Sequence, residues 1–127
     1  MRRNVLLFAS VSGFMAVALG AFGAHGLKPL LTADMLAAYE TGVRYQFYHT
    51  LVLLFLASAD KNDSLISKAA LFFGAGIILF SGSLYAMALT SVAGNIWSWL
   101  GPVTPLGGLC LLIGWVMLFL FTWKKVK

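Results

Sequence analysis

The sequence predicts an all-α polytopic membrane protein, and three observations lead to that fold class. Four apolar stretches separated by short polar breaks fill nearly all of the 127 residues, and a helix needs about 20 apolar residues to cross a bilayer core. Hydrophobic residues make up 61% of the chain and charged residues only 10%, against about 25% charged in soluble domains. Lys and Arg gather outside the apolar stretches. We therefore predict one domain, 1–127, forming a four-transmembrane-helix bundle.

The apolar stretches give approximate boundaries for the four crossings. The predicted spans are residues 4–24, 41–59, 69–89 and 104–123. The first span follows Arg2 and Arg3, as the apolar core of a secretory signal would, but it is longer than the about 7–15 apolar residues of such a core. Three further spans follow it. This segment is therefore predicted to remain in the protein as the first helix.

The connection between the first two spans predicts an additional helical segment. Lys28 and Pro29 end the first helix, because proline cannot continue the hydrogen-bond ladder. Thr32 is placed to cap the next helix, and Asp34 lies in its first turn, where the helix dipole favours a carboxylate. From Ala33 the pattern stays helical into the second span. This pattern predicts an amphipathic lead-in helix of about 12 residues at the outer surface.

The positions of the basic residues predict the orientation in the membrane. Short cytoplasmic loops carry an excess of Lys and Arg. With four crossings, both termini and the middle loop share one side, and the basic residues on that side are Arg2, Arg3, Lys61, Lys68, Lys124, Lys125 and Lys127. The opposite side has only Lys28 and Arg44. Both termini are therefore predicted to be cytoplasmic, with Trp97 and Trp99 at the outer interface and Trp123 at the inner one.

Composition argues against several classes of function. The net charge of +5 comes mostly from the chain ends, and no basic face with interleaved aromatics predicts nucleic-acid binding. The single cysteine, Cys110, can form neither an internal disulfide nor a multi-cysteine metal site, and a buried, inert thiol is expected. His25 and His49 differ in depth by about 15 Å along their helices, which argues against a haem held by both. No cofactor and no metal is predicted.

Small residues recur along the predicted helices at the spacing of a helix face. Lipid tails are as apolar as leucine, so helices associate in a bilayer through close packing rather than through hydrophobicity. A stripe that is not used within the chain could instead form a tight contact with a second copy of the protein. The predicted helix-packing residues are Gly13, Gly20, Gly82, Gly107 and Gly114.

Polar side chains concentrate in the outer half of the predicted bundle. Polar groups at membrane depth are costly and often mark a functional site. His49 lies near the midplane, and imidazole can donate, accept and handle protons at an unperturbed pKa of about 6.5. The alternative is that His49 bonds to Tyr85 or Ser81 and joins helices. The ligand-binding candidates are His49, Tyr45, Tyr85, Ser81, His25 and Thr104. Glu40 and Arg44 are four residues apart, the spacing of a helix ion pair.

Four motifs in order resemble a known family. They are Gly20-Ala-Phe-Gly-Ala-His25, Tyr45-Gln-Phe-Tyr-His49-Thr50, Phe80-Ser-Gly-Ser-Leu-Tyr85, and Thr104-Pro-Leu-Gly-Gly108 with Gly114-Trp115. The chain resembles the YgdD-like bacterial inner-membrane proteins, a domain of unknown function that is similar to a small mitochondrial transmembrane protein of animals. The resemblance spans almost the whole chain. It implies a four-helix protein of the bacterial cytoplasmic membrane and no particular activity.

Two classes of function remain open from the sequence. The first is a non-enzymatic accessory or structural membrane protein, expected to contact the lipid bilayer and to form a homo-oligomer or bind a membrane protein partner. The second is a binder or conduit for a lipid, a quinone or a proton that uses the outer polar cluster. No nucleophile–base pair can be named, so no catalytic residues and no enzymatic activity are predicted.

Overall fold

The computed structural model describes residues 2–59 and 62–127, and these residues form helices and no strands, which confirms the all-α part of the predicted fold class. The α-helices are α1 (Arg3–Phe22), α2 (Ala33–Ala57), α3 (Ser64–Gly76), α4 (Gly82–Val92) and α5 (Val103–Val126). A π-helical turn, Gly23–Leu27, extends α1, and a second one, Ile77–Ser81, joins α3 to α4. Within the described residues the chain therefore forms four long helical rods. The middle loop Asp60–Lys68 and its Lys61 lie partly outside the described residues.

Three of the rods in the described chain are long and apolar enough to cross a membrane. They are Arg3–Leu27, Ser64–Val92 and Ser98–Val126, of 25, 29 and 29 residues. The rod α2, which holds the predicted crossing at 41–59, is not among them, because polar side chains such as Gln46 lower its hydropathy. The first, third and fourth predicted crossings thus coincide with candidate spans. The second predicted crossing, residues 41–59, stays a prediction.

Side-chain caps set where two helices begin. Thr32 Oγ1 accepts a hydrogen bond from the Met35 backbone N–H at 3.2 Å, which confirms the predicted cap of α2. Asp63 Oδ1 accepts from the Leu65 N–H at 2.8 Å and caps α3. The predicted lead-in is the first part of α2 and not a separate helix, because no proline interrupts the ladder. Its placement at the outer surface stays a prediction.

In the packing order of the rods, α2 and the rod of α3 and α4 lie between α1 and α5. The rod of α1 packs on α2, α2 packs on α4 and the π-helical turn, and α3 packs on α5. The Arg2 backbone N–H donates to the Ala57 carbonyl at 2.9 Å, and Arg2 Nη1 donates to Ser67 Oγ at 2.5 Å. The start of α1, the end of α2 and the start of α3 therefore meet at one end of the bundle, called here the terminal end. The opposite end, around Trp97 and Trp99, is called the tryptophan end.

Two apolar clusters fill the interior near the two ends. The larger cluster lies toward the terminal end and consists of Ala9, Leu53, Leu56, Ile66, Ala69, Ala70, Phe73, Ile77 and Leu111. The smaller one lies toward the tryptophan end and consists of Leu27, Leu31, Tyr39 and Ala88. The buried polar side chains lie between these clusters. The interior is therefore apolar at both ends and polar in the middle.

The closest helix crossing depends on a glycine. A Cβ atom added at Gly107 of α5 would lie 2.3 Å from the Phe80 backbone nitrogen and 2.7 Å from its Cα. Real Cβ contacts are never that short, so the π-helical turn and α5 can approach this closely only with glycine at this position. At Gly114 an added Cβ would lie 2.8 Å from the Phe73 ring. These two glycines bring α5 onto the rod formed by α3 and α4.

The other glycines predicted to pack helices have looser surroundings. A Cβ added at Gly20 would lie 3.2 Å from Val43, and one added at Gly13 would lie 3.5 Å from Thr50. Both glycines face α2 from α1. At Gly82 an added Cβ would meet no described atom within 4 Å. Gly82 borders a hollow that residues of α1 also line, so it makes no close contact with another rod in the described chain, and its part in helix packing stays a prediction.

Large apolar side chains cover the outside of the rods. Phe14 is 73% exposed, Leu71 70% and Phe119 61%, in an arrangement that water would disfavour. Trp97 and Trp99 are exposed and stacked, with ring centroids 6.0 Å apart, and Trp123 is exposed near the terminal end. Tryptophans near both ends with apolar side chains between them match the aromatic belts of membrane proteins.

Candidate functional site

A layer of buried polar side chains lies halfway along the bundle. Its buried members are Ser12, Gln46, His49, Thr50, Ser81 and Ser83. Ser12 and Gln46 are about 15–17 Å from Arg2 and Ala57 along their helices at 1.5 Å per residue. In a bilayer core about 30 Å thick, that distance is close to the midplane. This layer is therefore the candidate functional site.

Gln46 is the centre of a hydrogen-bond network that joins three rods. Its Nε2 donates to the Ser12 carbonyl at 2.9 Å and lies 3.3 Å from Ser12 Oγ. Its Oε1 accepts from the Tyr85 hydroxyl at 2.6 Å. Ser12 Oγ in turn pairs with Thr50 Oγ1 at 2.7 Å. One amide thus connects α2 to α1 and α4, and both its nitrogen and its oxygen have partners.

Two further hydroxyl contacts tie the rod of α3 and α4 to its neighbours. Ser81 Oγ donates to the Gly42 carbonyl of α2 at 2.6 Å. Ser83 Oγ and Thr104 Oγ1 are 2.6 Å apart, between α4 and α5. Both contacts lie at or just beyond the π-helical turn, a type of irregularity that often marks functional positions. Here these serines join helices.

The two ring nitrogens of His49 have different partners, and together they define its tautomer. Trp115 Nε1 lies 3.1 Å from His49 Nε2, and because an indole N–H can only donate, Nε2 must accept. His49 Nδ1 lies 2.7 Å from the Tyr45 carbonyl oxygen, which can only accept. His49 is therefore a neutral imidazole protonated at Nδ1. The Phe73 ring packs against both rings of the His49–Trp115 pair, and its centroid lies 5.6 Å from that of His49 and 5.5 Å from that of Trp115.

A hollow of about 770 Å³ opens between α2 and α5 beside His49. Tyr45, Tyr48 and Trp115 form its aromatic walls, and Pro105 and Gly108 lie along its α5 side. Tyr45 is 41% and Tyr48 53% exposed, so both rings reach the outer surface of the bundle. We call this hollow the α2–α5 groove. It is mostly apolar and has two phenol hydroxyls at its edge.

The structure divides the predicted ligand-binding residues among separate places. His49 and Tyr45 lie together at the α2–α5 groove. Tyr85 belongs to the Gln46 network on the other side of α2, with its ring 5.2 Å from that of Tyr39. Ser81 and Thr104 make the hydroxyl contacts described above. His25 is exposed in the π-helical turn after α1, so it lies apart from all of the others.

Four members of the polar layer were not among the ligand-binding candidates, namely Ser12, Gln46, Thr50 and Ser83, and neither was Trp115, which donates to His49. An amide in the middle of an apolar helix was a usable signal for Gln46, because its burial requires hydrogen bonds. Trp115 belongs to one of the four motifs, but its position in the motif does not reveal its partner.

Two other expectations differ from the structure. Arg44 Nη2 donates to Thr41 Oγ1 at 3.2 Å, and within residues 2–59 and 62–127 no ion pair joins Arg44 to Glu40, because both side chains extend outward. Cys110 is half-buried rather than buried. In the same described ranges, no three His, Cys, Asp or Glu side chains come together as a metal site would require.

Long apolar rods, an apolar exterior and paired polar groups inside define a class, the integral α-helical membrane proteins. The family model described as "Protein of unknown function (DUF423)" matches residues 19–108, and the chain belongs to that family. No solved structure matches the chain.

Named relatives agree with that assignment. The chain is 42% identical to the "UPF0382 inner membrane protein YgdD" of Escherichia coli K12, over 91% of this chain and 86% of the relative. It is 41% identical to a "UPF0382 membrane protein" of Haemophilus influenzae, over 98% of both chains. It is 40% identical to "UPF0382 membrane protein YwdK" of Bacillus subtilis, over 89% of this chain and 90% of the relative. The resemblance to the YgdD-like proteins is confirmed, and the chain is an integral membrane protein.

Proposed function

We propose that the protein crosses the bacterial cytoplasmic membrane four times, with both termini in the cytoplasm. The length of α2 supports a fourth crossing, because its 25 residues extend about 37 Å. Its position between α1 and the rod of α3 and α4 supports it too, since Gln46 and His49 are buried against neighbouring rods. The excess of Lys and Arg at the terminal end supports the orientation.

Single cysteines can test this topology. In a Cys110→Ala background, single cysteines at Leu30, which precedes α2 and is exposed, and at Asn95 should react with a membrane-impermeant maleimide in intact cells. A cysteine at Asn62 should react only after the membrane is permeabilised. Labelling of Leu30 and Asn62 from the same side would contradict a crossing by α2, and labelling of Asn62 alone in intact cells would reverse the orientation.

The geometry best supports a non-enzymatic accessory or structural role. The observation behind this proposal is that the polar groups of the buried layer are hydrogen-bonded within the chain. The Gln46 amide and both His49 nitrogens are engaged within the chain. A general acid or base needs a free position toward its substrate, and His49 offers none without breaking a contact. The layer therefore acts to fix helix geometry, and the exposed apolar surface remains for lipid and for a membrane protein partner.

Purification at native expression levels tests the accessory role. The protein carrying a C-terminal tag is extracted in a mild detergent and its co-purifying proteins are counted by mass spectrometry. A reproducible partner in fixed proportion is expected, and it should persist in Gln46→Met if the layer only supports the fold. Isolation without any partner would contradict the accessory role.

The α2–α5 groove favours a second candidate function, the binding of a small molecule with an apolar body. The groove is flanked by aromatic rings, and the Tyr45 and Tyr48 hydroxyls can contact one polar group of a ligand. Native mass spectrometry of the gently released protein should then detect an added mass. Gly108 lines the groove, and a Cβ added there would lie 3.8 Å from the nearest Phe80 atom, which is an ordinary contact. Gly108→Leu should therefore be accommodated and fill the groove. Gly82→Leu, on a different side of the bundle, is the matched control.

A further inference from the structure

We infer that Arg44 binds the phosphate of an anionic phospholipid of the outer leaflet, with an acyl chain lying in a hollow between α1 and α2. This inference rests on the proposed four crossings, because α2 must lie in the bilayer for its outward face to contact lipid. Arg44 then differs from the other basic residues of the chain, which lie in connections, near the chain ends or, in the case of Lys68, near the start of α3.

The position of Arg44 makes its charge costly without an anion. It lies about 20 Å from Ala57 along α2, inside a bilayer core about 30 Å thick. Its side chain is exposed, so it faces the outside of the bundle, where a charge is strongly disfavoured. Its hydrogen bond to Thr41 leaves the charge uncompensated, since a hydroxyl is neutral. An external anion is therefore required.

The direction of the side chain selects the outer leaflet. Side chains on a helix lean toward its N-terminus, and α2 begins at the tryptophan end. The contact with Thr41, which precedes Arg44 on α2, agrees with that direction. The guanidinium therefore extends from the apolar core toward the outer headgroups. Its planar set of donors matches the oxygens of a phosphate.

The hollow beside Arg44 supplies the second half of the site. It has a volume of about 500 Å³ and is lined by Arg44 and by apolar residues of both helices, chiefly Val17, Gly20, Ala21 and Val43. It exists because Gly20 and Ala21 have little or no side chain. A cation at the edge of an apolar hollow is complementary to a phospholipid, which joins an anionic head to an apolar tail. A zwitterionic lipid would offer the same tail but a weaker net attraction.

Lipid retention in nanodiscs tests the inference. The full-length protein is reconstituted with equimolar phosphatidylglycerol and phosphatidylcholine, and retained lipids are counted by native mass spectrometry. Arg44→Gln should lower retained phosphatidylglycerol about fivefold, the value of one cation at an anionic surface. Arg44→Lys, which keeps the charge but not the planar donors, should fall in between. Lys28→Gln, also on the outer side, should change nothing.

A second variant tests the tail site and the competing occupant. Ala21→Phe fills the hollow without altering charge and should also lower phosphatidylglycerol retention. Unchanged retention in either Arg44→Gln or Ala21→Phe would overturn the inference. Loss of dimers in Arg44→Gln while the lipid is retained would also overturn the inference, because the occupant of the hollow would then be a second copy of the chain. The cysteine-labelling topology is measured separately, so a failed topology and a failed lipid site give different results.

Discussion

The polar side chains on the two sides of α2 have different surroundings, although they lie at similar positions along the helix. On the side toward α1 and α4, Gln46 is buried and its network is closed by Ser12, Thr50 and Tyr85. On the side toward α5, His49 has two partners but borders the α2–α5 groove, and Tyr45 beside it is 41% exposed. The first side, called here the closed side, borders only a smaller hollow of about 300 Å³. The second, called here the open side, borders the α2–α5 groove of about 770 Å³.

This difference separates fold maintenance from the capacity to bind. Both polar atoms of the Gln46 amide are hydrogen-bonded within the chain, so a ligand could bond to the amide only by displacing one of these partners. The His49 side keeps an apolar hollow next to a fixed imidazole and two phenol rings. Variants on the first side should therefore change stability, whereas variants on the second should change what the protein retains.

The largest expected effect comes from the close packing of α5 on the π-helical turn. Gly107→Ala would place a Cβ 2.3 Å from the Phe80 backbone, so α5 must move, at a cost of about 3 kcal/mol. The unfolding midpoint in a detergent titration measures this loss. Gly108→Ala is the matched control, because its Cβ has ordinary contacts. Equal stability of the two variants would show that the crossing is not as close as described.

Removing the amide at the centre of the closed side should have the next largest effect. Gln46→Met keeps the side-chain length but leaves the Tyr85 hydroxyl without its acceptor and Ser12 without its donor. A loss of about 1–2 kcal/mol is expected, because interhelical hydrogen bonds in membranes contribute about 0.6 kcal/mol each on average. Unchanged stability in the same titration would contradict the central role given to the network.

Two tyrosines on the same bundle allow a sharper comparison. Tyr85→Phe removes only the hydroxyl that donates to Gln46, and a loss of about 0.6 kcal/mol is expected. Tyr48→Phe removes a hydroxyl on the open side and should leave stability unchanged. The difference between the two unfolding midpoints is the measured quantity. A larger loss in Tyr48→Phe would reverse the assignment of closed and open sides.

The smallest expected effect concerns the tautomer of His49. Trp115→Phe removes the N–H that donates to Nε2 while it keeps an aromatic ring against Phe73. Nitrogen NMR of histidine-labelled protein should show His49 protonated at Nδ1 in the wild type, with a new population protonated at Nε2 in the variant. His25 is the internal control, since it is exposed and distant from Trp115. Protonation at Nε2 in the wild type would refute the Trp115 contact.

Much of the framework could be predicted from the sequence because it depends on local rules. Apolar runs long enough to cross a bilayer predicted three rods that the structure contains as candidate spans. The Thr32 cap followed from its position ahead of a helical pattern. The polar cluster was foreseen as a set of residues at similar depth, but its division into separate places was not.

Helical spacing explains both the success and the failure. Residues four apart share a face, so Tyr45 and His49 could be grouped, and so could Gln46 and Thr50. Spacing does not reveal which neighbour each face meets. Tyr45 and Gln46 are adjacent in sequence, yet one faces α5 and the other faces α1 and α4. The partner of a face depends on how the rods are rotated about their axes.

The sequence by itself determined the class of protein, the approximate ends of its helices and the depth of its polar residues, because these depend on composition and on rise per residue. Only the tertiary structure decided that Gln46 would be enclosed, that Trp115 would donate to His49, and that Gly107 would permit the closest crossing while Gly82 met nothing. Those outcomes depend on contacts between rods distant in sequence, where small residues set how near two backbones can come.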